Sequence, residues 1–369
     1  DISSGDRLVR LVPKGDIAAV AISGKGITCS YPGPVGSHIV QGLEMKLARR
    51  RFLHLAAGAA ALPMITRFGR AQGYPARPVR IIVPLAPAGT VDIIARLIGQ
   101  SLSERFGQQF VIENKPGAGG NIGVETVVRA PADGYTLLMI DVSAAINATL
   151  YDKLSFNFIH DIVPVANTVR VPNLVAVRLA FPATTVPEFI TYAKSHPGKI
   201  SMATAGNGST SHVFGELFKI MADVDLVAVP YRGGGPALID MVSGQVDVIF
   251  VPTTASIGYV RTGKLRALGV TSTTRLETLP DLAPVSDFVP GYEASSWYGI
   301  GAPKNTPTEI IDELNKAINA ALANPAIKTR VADMAGIVLP GSPTDFAAVI
   351  AEDTKKWGKV IRAAKIKPE

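Results

Sequence analysis

Turns rich in glycine, serine and threonine, at the ends of predicted strands, are the segments of this chain best suited to binding chemistry. Four of them open predicted helices, and residues 231–235 form a weaker fifth. A helix that begins in such a turn offers unpaired N–H groups and the positive end of its dipole, both of which attract anions. One such turn can equally be only a tight turn, but four together favour a binding site. The four turns are residues 86–92, 115–121, 143–147 and 205–212.

Signatures of catalysis are missing from the sequence. Residues 117–123 resemble a dinucleotide-binding loop, but that pattern requires glycine at the position of Ile122. Phosphate-loop, zinc-protease and nucleophile-elbow motifs do not occur. Ser211 and His212 are adjacent, but no acid is positioned to complete a triad. His212 keeps two alternative roles, ligand binding or helix capping, and we predict no catalytic residue, cofactor or metal.

The charge of the chain is distributed unevenly, and this excludes one class of partner. The formal net charge is +7, of which the first 71 residues contribute +6 and the remaining residues +1. The body of the chain therefore has no basic stripe of the kind that binds nucleic acid. Because 47% of the residues are hydrophobic and only 18% are charged, a large folded core is expected.

Residues 45–73 have the layout of a bacterial export signal. An arginine cluster at residues 49–51 precedes a short apolar run, and small residues then predict cleavage after Ala71 or Gly73. The Arg-Arg-Arg-Phe-Leu stretch is also similar to the twin-arginine motif. The apolar run is shorter than the ~20 residues that span a bilayer, so stable membrane insertion of the mature chain is not expected. The alternative is an amphipathic helix that belongs to the mature fold.

The first 44 residues differ from the rest of the chain. They are rich in Gly, Ser and Pro, lack sustained periodicity, and precede a methionine that begins the predicted signal. We therefore expect Met45 to be the true start and residues 1–44 to be an over-extended, non-native segment.

From residue 74 onward, strand-like and helix-like segments alternate, which predicts a largely parallel α/β architecture. Thr90 and Thr185 are predicted to cap helices. Tyr231 and Trp297 are aromatics that fit either a cleft or the core, and the core is favoured. The predicted strands are residues 79–84, 110–113, 136–140, 173–177, 200–203, 227–229, 246–250, 266–270 and 295–303. The predicted helices are residues 92–106, 122–128, 186–194, 211–221, 236–243, 307–322, 325–335 and 343–364.

Six short motifs, in order along residues 74–369, identify a family. They are Tyr-Pro-x-Arg-Pro-Val-Arg from residue 74, Glu-Asn-Lys-Pro-Gly-Ala-Gly-Gly-Asn from 113, Ala-Asp-Gly-Tyr-Thr-Leu from 132, Pro-Tyr-Arg-Gly-Gly-Gly-Pro from 230, Gly-Gln-Val-Asp from 244 and Gly-Lys-Leu-Arg-Ala-Leu from 263. With these motifs the chain resembles the Bug family, the extracytoplasmic solute receptors of tripartite tricarboxylate transporters.

The resemblance implies a fold and a place of action. The fold is α/β and periplasmic-binding-protein-like (type II), with two α/β lobes joined by crossover strands. Residues 74–172 and 297–369 would form a discontinuous first lobe, and residues 173–296 the second. A periplasmic monomer of this kind would close around a small organic carboxylate and deliver it to the membrane components of a transporter.

The resemblance also implies a site, in which backbone donors and ordered waters of the first strand–helix loop hold the carboxylate. That loop is residues 85–92 here, and residues 206–212 and 231–235 face it from the second lobe. The candidate ligand-binding residues are Pro87, Ala88, Gly89, Thr90, Asp92, Ser143, Asn147, Ala205, Gly206, Asn207, Gly208, Ser209, Thr210, His212, Tyr231 and Gly233.

Two departures from the family pattern bear on the ligand. Ala88 stands where the family commonly has glycine, so a methyl group shifts the backbone or narrows the pocket. Val251-Pro252 follows the predicted strand 246–250, where the family often has Asp-Asn. Losing an acid there favours an organic acid without an amino group, since an ammonium would need a carboxylate partner.

Two rival functions remain open from the sequence. The same receptor can act as a sensor that reports its ligand to a membrane kinase, and neighbouring transporter genes would argue against that role. An enzyme that uses the cleft for catalysis would need a paired acid and base with shifted pKa values, and no such pair is evident.

Overall fold

A computed structural model of the chain describes residues 73–368, together with two short strands nearer the N-terminus. These two strands, β1 (Ala19–Ser23) and β2 (Gly26–Ser30), pair antiparallel. The chain divides into two compact units, Asp1–Arg70 and Ala71–Glu369, and the fold below is that of the second. Residues 45–72 of the predicted export signal, including the expected start at Met45, lie outside the described residues.

Ten strands of the second unit form one sheet, and the α/β prediction is confirmed. The strand order is β4-β3-β5-β11-β6-β9-β7-β8, and β10 and β12 also pair with β6. The strands are β3 (Val79–Val83), β4 (Phe110–Asn114), β5 (Thr136–Asp141), β6 (Ile162–Arg178), β7 (Ile200–Thr204), β8 (Leu226–Pro230), β9 (Val248–Pro252), β10 (Leu265–Val270), β11 (Ser295–Pro303) and β12 (Ile337–Val338).

Eleven α-helices connect and cover these strands within residues 73–368. They are α1 (Thr90–Phe106), α2 (Asn121–Val128), α3 (Val142–Leu150), α4 (Phe158–Asp161), α5 (Val186–Ser195), α6 (Thr210–Ala222), α7 (Gly234–Ser243), α8 (Thr253–Arg261), α9 (Thr308–Ala323), α10 (Pro325–Asp333) and α11 (Pro343–Ala364). The predicted cap at Thr185 is confirmed, because its side chain accepts from the N–H of Glu188. The predicted cap at Thr90 is wrong by one position. Gly89 is the N-cap and Thr90 is the first helical residue.

The long strand β6 divides the sheet into two halves. Its residues 162–172 pair with β11, whereas residues 173–178 pair with β9 and β10. We call β3, β4, β5, β11 and residues 162–172 the first half, and β7, β8, β9, β10 and residues 173–178 the second half. Parallel pairs dominate the outer part of each half: β3 pairs with β4 and β5, and β7 pairs with β8 and β9.

Parallel strands end at the same edge of a sheet, so each half gathers its strand–helix turns on one side. The central strands β5, β9 and β11 are almost fully buried, whereas the edge strands β4 and β8 are partly exposed. Trp297 is 1% exposed and lies in the core, edge-on to Phe346, as the sequence favoured. Trp357 of α11 stacks on Phe214 of α6, with ring centroids 4.8 Å apart.

Candidate functional site

The first strand–helix loop runs from β3 into α1 and is held by Asp92. This carboxylate accepts from the N–H of Ala88 at 3.0 Å and from two nitrogens of Arg96 at 2.9 and 3.0 Å. Burial by itself raises the pKa of Asp92, but the hydrogen bonds from Arg96 and Ala88 outweigh it, and the pKa is lowered overall. Asp92 is therefore ionised, and its hydrogen bonds with Ala88 and Arg96 hold the loop in place.

The tip of this loop is exposed and its backbone is unusual. Pro87, Ala88 and Gly89 all face solvent. Ala88 has φ of 65°, the left-handed region that favours glycine, whereas Gly89 has φ of −79°. Ala88 is therefore held in a conformation that is typical of glycine. The first turn of α1 lies immediately behind it, and its N–H groups have no intrahelical acceptors.

Residues 143–147 were predicted as a turn, but they lie in α3, which follows β5 directly, and they carry a second group of polar side chains. The hydroxyl of Ser143 donates to Asp141 at 2.7 Å, and the amide of Asn147 donates to the carbonyl of Gly119 at 2.8 Å. These residues line one narrow pocket together with Gly120. Burial raises the pKa of Asp141, while hydrogen bonding from Ser143 opposes the shift. A carboxyl held towards its neutral form repels an anionic ligand less than an ionised one.

The turn from β7 into α6 is stabilised by its own side chains. Ser209 is the N-cap of α6, and the hydroxyl of Ser211 accepts from the N–H of Ala205 at 2.8 Å. The N–H of Gly208 donates to Nδ1 of His212 at 3.1 Å. The carbonyl of Gly206 accepts from Ser209.

The structure contradicts one of the two roles that the sequence left open for His212, that of helix cap. His212 does not cap α6, since Ser209 does, and its Nδ1 is engaged by the loop backbone. Burial lowers the pKa of His212, with Glu216 opposing the shift, which favours the neutral ring that Nδ1 needs in order to accept. His212 is therefore a brace of the loop.

The remaining predicted residues of the second half occupy its loop edge. Asn207 is exposed at the tip of the turn into α6, and Thr210 is the first residue of that helix. The hydroxyl of Tyr231 donates to Asp240 at 2.8 Å, and its N–H donates to the carbonyl of Thr204. Gly233, with φ of 105°, is the N-cap of α7.

Only some of the predicted residues meet across the two halves of the sheet. Thr90 of α1 and Thr254 of α8 are hydrogen-bonded, with their hydroxyl oxygens 2.7 Å apart. Gly208 faces Leu150, the last residue of α3, so closely that a Cβ at position 208 would overlap its side chain. Tyr231, in contrast, is tied to partners within the second half.

Three residues of the site were not predicted: Asp141, Thr254 and Tyr298. Tyr298 pairs with Asp141 across β11 and β5 and is 3% exposed. Burial raises the pKa of Tyr298 and Asp141 adds to the shift, whereas hydrogen bonds to Ser296 and Thr90 oppose it. A signal for Tyr298 was available, because it follows Trp297 in a predicted return strand and alternation turns the two side chains to opposite faces.

The chemistry of this arrangement is that of anion binding. The N-termini of α1 and α6 lie in the turns just described, whereas α3 and α8 begin directly after β5 and β9, and helix N-termini attract negative charge. Hydroxyl groups of Thr90, Thr254 and Ser143 add uncharged hydrogen-bonding partners. Among residues 73–368, no cluster of three or more His, Cys, Asp or Glu side chains could hold a metal ion.

Comparison with known families decides what kind of protein carries this site. Residues 94–366 match the family described as "Tripartite tricarboxylate transporter family receptor". The chain belongs to this family. Two relatives agree. One is the protein of the tcbD-tcbE intergenic region of Pseudomonas sp. (strain P51), 35% identical over 85% of this chain and 94% of the relative. The other is BugT of Bordetella pertussis, which is 33% identical over 80% of this chain and 93% of the relative. The predicted resemblance to the Bug family is confirmed.

Solved structures of similar chains confirm the two-lobed, periplasmic-binding-protein-like fold. Rpa4515 of R. palustris, solved with adipate, is 36% identical with a TM-score of 0.74, covering 80% of this chain and all of that one. MatC of Rhodopseudomonas palustris, solved with bound malate, is 32% identical with a TM-score of 0.70, and the match covers 78% of this chain and all of that one. Within the described part of this family member, no helix has the length and apolar character needed to cross a membrane.

Proposed function

We propose that this receptor captures a small organic carboxylate in the periplasm, closes around it, and delivers it to the membrane components of a tripartite tricarboxylate transporter. The observation that carries the proposal is the set of four helix N-termini that open at the loop edges of the two sheet halves. A carboxylate is the simplest ligand that such donors hold without a buried arginine or lysine.

The ligand that we propose is a dicarboxylate or related acid without an amino group. The structures of relatives hold adipate and malate, neither of which carries an ammonium. In this chain, Asp92 is occupied by Arg96, and Asp141 is buried beside Ser143. Val251 and Pro252, which carry no charge, stand where the family often has Asp-Asn. These residues favour an acid over an amino acid, because an ammonium would find no ionised, unoccupied partner among them.

Capture would proceed by hinge closure. Residues 74–172 with 297–369 form the first lobe in this proposal, and residues 173–296 form the second. The strands β6 and β11 run through the boundary, so they are the connections about which the lobes rotate. A ligand that touches both lobes favours the closed form by its differential affinity for that form.

The place of the receptor in the cell follows from the same proposal. The export signal predicted at residues 45–73 would carry it to the periplasm, where it would act as a monomer and catalyse no reaction. A sensor role that feeds a membrane kinase is the alternative, and it would use the same site.

A thermal-shift screen of the full chain tests this function. The panel contains adipate, malate, a tricarboxylate, an aromatic acid, glutamate and aspartate. A ligand present at 100 times its Kd stabilises the native state by about 2.7 kcal/mol, which raises the melting temperature measurably. We expect shifts from unaminated acids. Glutamate or aspartate binding more tightly than every unaminated acid, measured by calorimetry, would overturn the ligand class. An absence of any shift, with native mass spectrometry showing no retained ligand, would overturn carboxylate binding itself.

A further inference from the structure

Residues of the two sheet halves are in direct contact at several positions. The hydroxyls of Thr90 and Thr254 lie 2.7 Å apart, and Leu150 packs against Gly208. Thr253, beside Thr254, also donates to the carbonyl of Met334 at 3.4 Å. Because Thr90 opens α1 and Thr254 lies in the first turn of α8, the hydroxyl pair brings two helix N-termini together.

Two helix N-termini that face each other repel weakly, since both carry positive partial charge. A hydrogen bond between their side chains opposes that repulsion. An anion placed beside both termini removes it, and an anion can do so only when the halves are together. The same contact therefore links closure to the charge of the ligand.

Gly208 provides a second, steric condition for closure. It has φ of 72° and no side chain, and a methyl group there would overlap Leu150 of the first half. Leu150 is 5% exposed and packed in the hydrophobic core, so it cannot easily move aside. Only a residue without a Cβ lets the turn into α6 reach this position.

We infer that the Thr90–Thr254 hydroxyl pair and the Leu150–Gly208 contact form a latch that sets how much of the receptor is closed before ligand binds. These four residues position the lobes relative to each other, in addition to the place that Thr90, Gly208 and Thr254 have in the candidate site. The inference rests on the proposed hinge closure, and it predicts that the contact forms also in the ligand-free receptor. The apparent Kd equals the intrinsic Kd divided by the fraction of receptor in the competent state, so the latch would tune affinity.

A disulfide trap tests the latch without any ligand. The only cysteine of the chain is Cys29, so the Cys29→Ser background carrying Thr90→Cys and Thr254→Cys has just the two engineered thiols. Sulfur atoms placed where the hydroxyl oxygens lie are close to the ~2.05 Å separation of a disulfide. With oxidised glutathione and no carboxylate, we expect the 90–254 disulfide to form in the full chain, as seen by peptide mapping. Thiols that stay reduced and titratable would overturn the latch.

A pair of glycine variants tests the steric condition in the same cysteine background. Gly208→Ala should slow disulfide formation about fivefold or more, because its methyl group holds the halves apart. Gly244→Ala is the matched control: Gly244 has φ of 80°, and a Cβ there meets no atom within 4 Å. It carries the same backbone strain without the contact, so its rate should stay within about twofold of the parent. Equal rates for the two glycine variants would refute the role of Leu150 and Gly208.

Conservative changes at Thr254 keep the inference testable if Gly208→Ala does not fold. Thr254→Val removes the hydroxyl but keeps the shape, whereas Thr254→Ser keeps the hydroxyl. We expect the apparent Kd for adipate to rise about two- to tenfold in the valine variant and to stay near the parent value in the serine variant. Small-angle scattering of the ligand-free proteins should show a larger radius of gyration for the valine variant alone. If the scattering difference appears and adipate does not bind, the latch stands and the proposed ligand fails. Identical scattering for the valine and serine variants would overturn the latch.

Discussion

Gly123 is the residue at which a single methyl group should disturb the first strand–helix loop most directly. It lies in α2, where an added Cβ would be 2.7 Å from Cα of Pro84 and 3.0 Å from the carbonyl oxygen of Lys115. Both atoms belong to the backbone, so neither can turn away as a flexible side chain would. Pro84 directly follows β3 and leads into the loop that carries Thr90.

The magnitude follows from two opposing effects of Gly123→Ala. Alanine in a helix interior is more favourable than glycine by about 1 kcal/mol. Overpacking against an immovable neighbour costs about 1–3 kcal/mol. The variant is therefore expected to lie between neutral and about 2 kcal/mol less stable than the parent.

Gly258→Ala isolates the steric part of this effect. Gly258 also lies inside a helix, α8, but a Cβ there meets nothing within 4 Å. Its substitution should stabilise the chain by about 1 kcal/mol, from helix propensity alone. The difference between the two variants, about 1–3 kcal/mol, is the cost of the contact with Pro84 and Lys115.

Urea unfolding followed by tryptophan fluorescence measures this difference. Both tryptophans of the chain, Trp297 and Trp357, are buried in the second unit, so the signal reports on the fold that contains the site. Both variants should show the same slope of unfolding free energy against urea concentration, because they expose the same surface on unfolding. Equal stabilisation by Gly123→Ala and Gly258→Ala would refute the reasoning, because it would mean that α2 can move away from Pro84 at no cost.

Three further substitutions have defined outcomes. Ala88→Gly removes a left-handed alanine that costs about 1–2 kcal/mol, but glycine lowers stability by about 0.4–1 kcal/mol through the greater freedom of the unfolded chain. Urea unfolding should therefore show a net gain between zero and about 1.6 kcal/mol. Asp141→Asn should become more stable relative to the parent as the pH rises. A buried acid whose folded pKa is raised contributes stability below its unfolded pKa of about 3.9 and loses it as pH rises through the folded pKa. Parallel melting temperatures for the two proteins from about pH 4, just above the unfolded pKa, upward would contradict this. Thr185→Ala removes the cap of α5 and should cost about 1 kcal/mol in urea unfolding, and an unchanged midpoint would argue against the cap.

Much of the fold was predictable because its signals are local. The helix in α11 begins at Pro343 behind a Ser342–Asp345 capping box, and the return strand β11 has the bounds that its sequence indicates. Strand β6 was predicted only in its last third, because proline residues within it suggest turns. Helices α3 and α8 were missed for a different reason, since each follows its strand with no intervening loop.

Residues of the candidate site that are neighbours in the sequence were predicted. Contacts between side chains that are distant in the sequence were missed. Ser143, Asn147 and the turn into α6 follow from glycine and hydroxyl residues that are neighbours in the sequence. The Thr90–Thr254 contact joins residues 164 positions apart, and no local pattern encodes it. The role of His212 could not be decided from its position alone, because the loop that engages its Nδ1 exists only once Gly208 has adopted its positive φ.

The charges around the site explain why an anion is a suitable ligand despite two nearby acids. Arg96 neutralises Asp92 through two hydrogen bonds, and burial drives Asp141 towards its uncharged form. The helix N-termini then set the local electrostatic preference, and they favour negative charge. A ligand with an ammonium would have to recover an ionised carboxylate, either by breaking the Asp92–Arg96 pair or by ionising Asp141 in a buried place. Breaking the ion pair and ionising the buried acid both cost free energy, and an acid without an amino group requires neither. Asp92 and Asp141 are therefore poor partners for an amine in the folded chain.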